Sequence, residues 1–130
     1  IVGLTFGSTK NHIVRAALET IPYQIKDVIV AMEKDANISL QTLMIDGGIT
    51  ANTFVVQFLT DLLNKAVNTI QMPDVSALGA AYLAGLKAKV FTSLKQLTEL
   101  NQNKKTFLPQ SNVAVVLQGY EGWKKVINTI

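Results

Sequence analysis

Apolar residues fall at positions 13, 17, 18, 21, 25, 28, 29 and 32, a recurrence of three and four that predicts one long helix over residues 10–33. Pro22 lies inside that span and is expected to kink it, because proline removes a backbone donor and crowds the preceding turn. Before it, the apolar run of residues 1–5 reads as a short buried strand. Gly7-Ser8-Thr9 then breaks the strand and offers a cap for the helix. Asp35-Ala36-Asn37 is a turn, and Leu43-Met44-Ile45 is a continuous apolar run that suits a strand buried on both faces.

Asp46-Gly47-Gly48 ends that strand. A second helix is expected from near Thr50, with Val55, Phe58, Leu59, Leu62 and Leu63 on one side. Residues 67–70 form another short strand, Pro73 and Asp74 turn the chain, and Ser76 caps a third helix over 77–89. Beyond this the pattern changes. A short helix at 93–97 precedes a polar loop at 101–105, an extended Phe107-Leu108-Pro109 and a closing helix over 113–128. Strand–helix alternation up to residue 90 predicts a parallel or mixed α/β sheet, with residues 91–130 as a helical extension packed on the 1–90 unit.

Composition narrows the functional classes. A chain of 130 residues, 48% apolar and 16% charged, is an ordinary folded domain. The net charge of +3 comes from scattered lysines, only Lys104-Lys105 and Lys124-Lys125 being adjacent, so no basic stripe points to nucleic acid. With no cysteine and one histidine, thiol chemistry and multi-histidine metal sites are excluded. The most apolar stretch, residues 77–86, is about half of the roughly 20 residues a bilayer span needs, so no membrane role is expected. The opening Ile1, with no lead-in to the first apolar run, suggests a piece of a longer protein.

Two stretches carry candidate chemistry. Asp46-Gly47-Gly48-Ile49-Thr50-Ala51-Asn52 joins a buried strand to a helix start. Paired glycines permit positive φ and a close ligand approach. The helix start offers N–H groups and a positive dipole end that favour phosphate. Asn52, in the first helical turn, can present an amide to a base or ribose. The same residues also suit a plain tight turn capped by Thr50, and the pattern is neither a Walker loop nor GxGxxG. Asp46 is expected to cap or orient the turn. In the third helix, Ala77, Ala80, Ala81 and Ala84 leave one side without bulk, which suits close approach by another backbone. Elsewhere, His12 is expected to be structural, Arg15 and Glu19 to pair at i, i+4, and Tyr120 and Trp123 to be packing anchors.

In combination, Gly47-Gly48 followed about thirty residues later by Gly79-Ala80-Ala81 resembles the adenosine motif and hinge helix of the actin-like ATPase superfamily. The finer resemblance is to the FGGY carbohydrate kinases, and within them to the polyol kinases. It is carried by Thr9-Lys10-Asn11-His12-Ile13, Arg15-Ala16-Ala17-Leu18-Glu19, Tyr23-Gln24, Ala31-Met32-Glu33, Gln57-Phe58, the run from Ala77 to Leu86, and Gly122-Trp123-Lys124-Lys125. Phe6, Pro22, Ile49 and the short Asp74-Val75-Ser76 connection depart from that pattern and leave the acceptor open.

The resemblance implies an actin-like, ribonuclease H-like domain fragment, a short mixed sheet with flanking helices and a helical tail. It implies ATP and Mg2+ as cofactors, with Gly48 and Asn52 as nucleotide contacts and Gly47 permitting the turn. It further implies phosphoryl transfer to a polyol, glycerol first, by a cytoplasmic homo-oligomer. The acceptor site, the catalytic aspartate and the first phosphate motif would lie outside this chain, so no carboxylate here is expected to be the base and no residue here is assigned to Mg2+. The alternatives are another FGGY sugar or polyol kinase, or a non-enzymatic actin-like nucleotide-binding module.

Overall fold

In the computed structural model, which describes residues 1–70, 74–100 and 104–129, three strands form one sheet in the order β1-β2-β3. They are Thr42–Ile45 (β1), Ala66–Ile70 (β2) and Lys104–Phe107 (β3). β1 and β2 run parallel with Leu43 opposite Val67, and helix Thr53–Leu63 (α2) makes the crossover that a parallel pair requires. β3 runs antiparallel to β2 with Phe107 opposite Val67, so the sheet is mixed.

The apolar stripes of α2 and of the long helix Lys10–Ala36 (α1) close over one face of this sheet. Ile29 of α1, with Val56, Leu59 and Leu63 of α2, packs on Val67 and Phe107. A second cluster joins Tyr23 of α1 and Leu62 of α2 to Val116 and Tyr120 of the last helix, Val113–Ile127 (α5 below). Its rings are in contact: Tyr23 meets Phe58 edge-on at 5.6 Å, and Tyr120 stacks on Trp123 at 6.1 Å. Tyr120 and Trp123 are thus the packing anchors expected.

Polar groups lock the same layer. The Tyr120 hydroxyl donates to the Asp27 carboxylate. Lys26 Nζ donates to the Leu62 carbonyl at 2.9 Å, near the negative end of α2. Asp61, only 4% exposed, accepts from Gln57 Nε2 at 2.9 Å and from the Gln110 N–H at 2.8 Å, and Gln57 also donates to the Leu108 carbonyl. The segment entering α5 is thereby tied to α2.

Helix α1 begins at Thr9, whose N–H donates to His12 Nδ1 at 3.1 Å, so His12 is structural. The helix ends at Asn37 in the left-handed conformation (φ 51°) and continues through the buried Pro22 as one element. Arg15 Nε and Glu19 Oε1 pair at 2.6 Å as the i, i+4 spacing predicts.

Two remaining helices, Val75–Lys87 (α3) and Leu94–Leu100 (α4), behave differently. No residue of α3 is buried. Asp74, not Ser76, caps it: the Asp74 carboxylate accepts from the Ala77 N–H at 3.2 Å, so the helix starts two residues earlier than the pattern predicts. Ala77, Ala80, Ala81 and Ala84 are all exposed, so the close backbone neighbour expected of the small-residue face is absent among the described residues. Gly85 is the crowded glycine, since a Cβ there would lie 2.5 Å from the Phe91 ring.

Two further expectations are corrected. Residues 1–5 form no strand; Ile1, Val2, Leu4 and Phe6 are exposed, and the outer edge of β1 stays unpaired among the described residues. Lys104 and Lys105, expected in a polar loop, belong to β3. The free edge of β2 recruits them, and Thr106 Oγ1 donates to Asn68 Oδ1 while Asn68 Nδ2 donates to Thr42 Oγ1, a side-chain ladder across all three strands. The rest of that loop, 101–103, and Pro73 of the expected turn lie outside the described residues.

Candidate functional site

Ligands of open α/β sheets bind in the crevice outside the carboxyl ends of parallel strands. Here β1 and β2 end on a cleft of about 760 Å³. Asp46, Gly47 and Gly48 form one wall as they leave β1, with Thr50, Ala51 and Thr53 beside them. Thr69 and Ile70 at the end of β2, and Asp74, Val75 and Ser76 at the start of α3, form the opposite wall. Lys105 and Phe107 of β3 close the side.

The glycine turn is held by its own hydrogen bonds. Gly47 has φ +96° and ψ 170°, a region open essentially to glycine alone. Thr50 donates to the Gly47 carbonyl twice, from Oγ1 at 2.7 Å and from its N–H at 3.0 Å, and residues Gly48–Ala51 complete a single tight helical turn. Thr50 therefore does the orienting expected of Asp46, whose exposed carboxylate makes no hydrogen bond among the described residues. Gly48 needs no unusual φ, and a Cβ there would meet no atom of the chain within 4 Å. The space over Gly48 is open to a ligand.

Asn52 stands one step outside the expected position. It is the N-cap of α2 rather than part of its first turn, and it does not line the cleft. Its Oδ1 accepts from the Phe54 and Val55 N–H groups at 3.1 and 3.4 Å. The helix terminus that the sequence pattern left open to phosphate is to that extent closed, and only Nδ2 remains for other contacts. Thus the structure brings Gly47 and Gly48 together in the cleft and sets Asn52 at its margin.

Thr69, Asp74, Lys105 and Phe107 were not singled out from the sequence. Asp74 carried a legible signal as an acidic residue just before a helical pattern. Lys105 and Phe107 did not, because the polar run 101–105 hid the strand.

Two other concavities are of different character. One of about 380 Å³ lies between α1, α2 and the start of α5, with Arg15, Glu19 and Gln57 over Tyr23, Phe54 and Phe58. There, burial and the neighbouring Glu19 carboxylate push the Tyr23 hydroxyl up to about 12, and the Glu19 hydrogen bond raises Arg15. The other, about 630 Å³, is an apolar groove between α3, α4 and the outer sheet face, with Met44, Leu83 and Leu94 in its lining. Among the described residues no three His, Cys, Asp or Glu side chains gather as a metal would require, and no helix is long and apolar enough to cross a membrane.

Comparison with known proteins adds the family to this geometry. The C-terminal domain of the FGGY family of carbohydrate kinases matches residues 1–88. The chain belongs to the FGGY family. Its FGGY relatives include the glycerol kinase of Pasteurella multocida (strain Pm70), 45% identical over 127 residues, and that of Vibrio campbellii (strain ATCC BAA-1116), also 45% identical. These alignments take in 98% of the chain and 25% of either relative, so the chain spans about a quarter of their length. Among solved structures, Plasmodium falciparum glycerol kinase with ADP superposes with a TM-score of 0.84 at 32% identity, over 98% of this chain and 26% of that one. A Lactobacillus acidophilus xylulose kinase shares the fold, with a TM-score of 0.79 at 22% identity over the same shares. The mixed sheet with flanking helices is therefore the FGGY kinase fold expected from the sequence.

Proposed function

We propose that this chain is the adenine-nucleotide wall of an ATP-dependent polyol kinase, and that its reaction converts ATP and glycerol to ADP and glycerol 3-phosphate. The observation that carries the reading is the Gly47-Gly48 turn at the carboxyl end of β1, opening on a cleft of a size that suits a nucleotide. The open space over Gly48 fits a ligand lying against the backbone, and Gly47 supplies the conformation that permits it. Gly47, Gly48 and the free Nδ2 of Asn52 would hold the nucleotide. ATP, when bound, supplies the transferred phosphoryl group; the contribution of this chain is to fix the nucleotide in place, which is most of what phosphoryl transfer asks of a protein. Magnesium belongs to the reaction, and none of the residues described here is assigned to it. Glycerol as acceptor is supported by the two 45% identical relatives, both glycerol kinases.

The division into residues 1–90 as the C-terminal part of the second actin-like domain and 91–130 as an extension packed on it belongs to the same reading, with β3 of that extension completing the sheet. So do an acceptor site and catalytic aspartate outside this chain, a homo-oligomeric enzyme and a cytoplasmic setting. The test is ADP release by the natural polypeptide that carries this sequence, with glycerol, erythritol, ribitol, xylulose or no acceptor. Preference for glycerol supports the proposal. Preference for another acceptor keeps the kinase and replaces glycerol. Turnover indifferent to any acceptor overturns the kinase reading in favour of a nucleotide-dependent binding module.

A further inference from the structure

The cleft has one wall that the family match does not reach. The matched residues end at 88, yet Lys105 and Phe107 line the same cleft as Gly47 and Gly48. Pairing with β2 fixes them there, Lys105 opposite Thr69 and Phe107 opposite Val67. Phe107 is part of the main core, so the strand cannot slide without breaking that core. Residues two apart on a strand share a face, and Lys105 Nζ lies 4.7 Å from the centroid of the Phe107 ring. The ammonium is therefore held at the side of the cleft by packing rather than by a counter-charge. Neither ion pair among the described residues includes it. The other charged groups in the cleft lining are Asp46 and Asp74, both of which repel an anion.

We propose that β3 is a working wall of the nucleotide cleft and that Lys105 is a binding residue for the phosphates of the nucleotide. Lys105 is the cation in a lining that otherwise carries two carboxylates, and a ligand with phosphates gains from it what an uncharged nucleoside does not. The nucleotide-binding unit then extends past the family's matched residues to the strand at 104–107. This inference rests on the nucleotide reading above.

The test follows the amide resonances of Gly47 and Gly48 in the 15N-labelled natural polypeptide that carries this sequence, during titration with ADP and, separately, with adenosine. Lys105→Gln should weaken ADP binding roughly fivefold, as for a single exposed charge contact, while leaving adenosine binding unchanged. Lys105→Arg should bind ADP like the parent sequence, and thermal unfolding of Lys105→Gln should match it. Equal ADP affinity in Lys105→Gln, with the glycine amides still responding, overturns the inference and leaves the cleft reading standing. Equal weakening of ADP and adenosine also overturns it, since the contact would then be to base or ribose. If ADP moves neither glycine amide in the unsubstituted chain, the cleft reading fails and the inference with it.

Discussion

Helices α2 and α3 are close in length, 11 and 13 residues, and both are largely apolar, yet they meet opposite environments. Seven residues of α2 are buried, and none of α3. The difference does not lie in the helices. α2 finds α1, the sheet and α5 around it, all supplied by this chain. α3 finds α4 and Phe91, and Leu83 remains 68% exposed beside an apolar groove. An apolar stripe becomes core only where an opposing layer exists to receive it.

The sharpest way to break this comparison is to remove the same side chain from each helix. Leu59→Ala in α2 should cost about 2–5 kcal/mol, because Leu59 is 1% exposed and its site leaves a cavity. Leu83→Ala in α3 should change stability by about 0.5 kcal/mol or less. Urea unfolding measures both, and similar losses would mean that α3 is covered in solution.

Next in size is the buried carboxylate that ties α2 to the tail. Burial alone would raise Asp61, but hydrogen bonds from the Gln110 N–H, from Ser111 and from Gln57 outweigh it and hold the group below the usual carboxylate range. A depressed folded-state value means that the stabilisation is present above the unfolded value near 4 and is lost as pH falls through the folded value. Asp61→Asn should lower stability at neutral pH by about 1–3 kcal/mol and flatten the acid side of the stability–pH curve. An unchanged acid limb would show that Asp61 does not anchor the tail.

The tyrosines probe the same layer from the alkaline side. Tyr120→Phe removes the donor to Asp27 and should cost about 0.5–1.5 kcal/mol. Tyr23 titrates near 12 when folded because of burial and then Glu19, against about 10 unfolded. A raised value means that its contribution is complete below pH 10 and is lost as pH rises through 12. Tyr23→Phe should therefore make the alkaline decline of stability shallower between those values, as read by thermal unfolding against pH.

One small effect should have the opposite sign. Gly79 sits inside α3 with ordinary φ and open space where a Cβ would go. Gly79→Ala should therefore stabilise the chain by about 0.5–1 kcal/mol, from helix propensity and a less flexible unfolded state. A loss of stability would place another backbone against α3.

Much of this was legible along the chain. The period of α1 and α2, the Gly47-Gly48 turn, the Arg15–Glu19 pair and the anchoring role of Tyr120 and Trp123 all follow from local spacing, and the motif pair of Gly47-Gly48 and Gly79-Ala80-Ala81 pointed to the family. What was misread depends on neighbours. Residues 1–5 have strand composition but lie exposed and unpaired, while the outer edge of β1 stays free among the described residues. Lys104 and Lys105 look like loop but lie against the free edge of β2. Asn52 has an amide suited to a ligand, yet its oxygen is taken by the helix it caps.

The sequence by itself determined which segments are helices, where the glycine turn lies and which residues carry apolar stripes, because these rest on backbone preference and side-chain period within a few residues. Only the tertiary structure decided which stripe is buried, which polar run becomes a strand, and that Lys105 and Phe107 share a cleft with Gly47 and Gly48. Burial, sheet pairing and the meeting of distant side chains depend on what stands opposite, and that is set by the fold of the whole chain rather than by any one stretch of it.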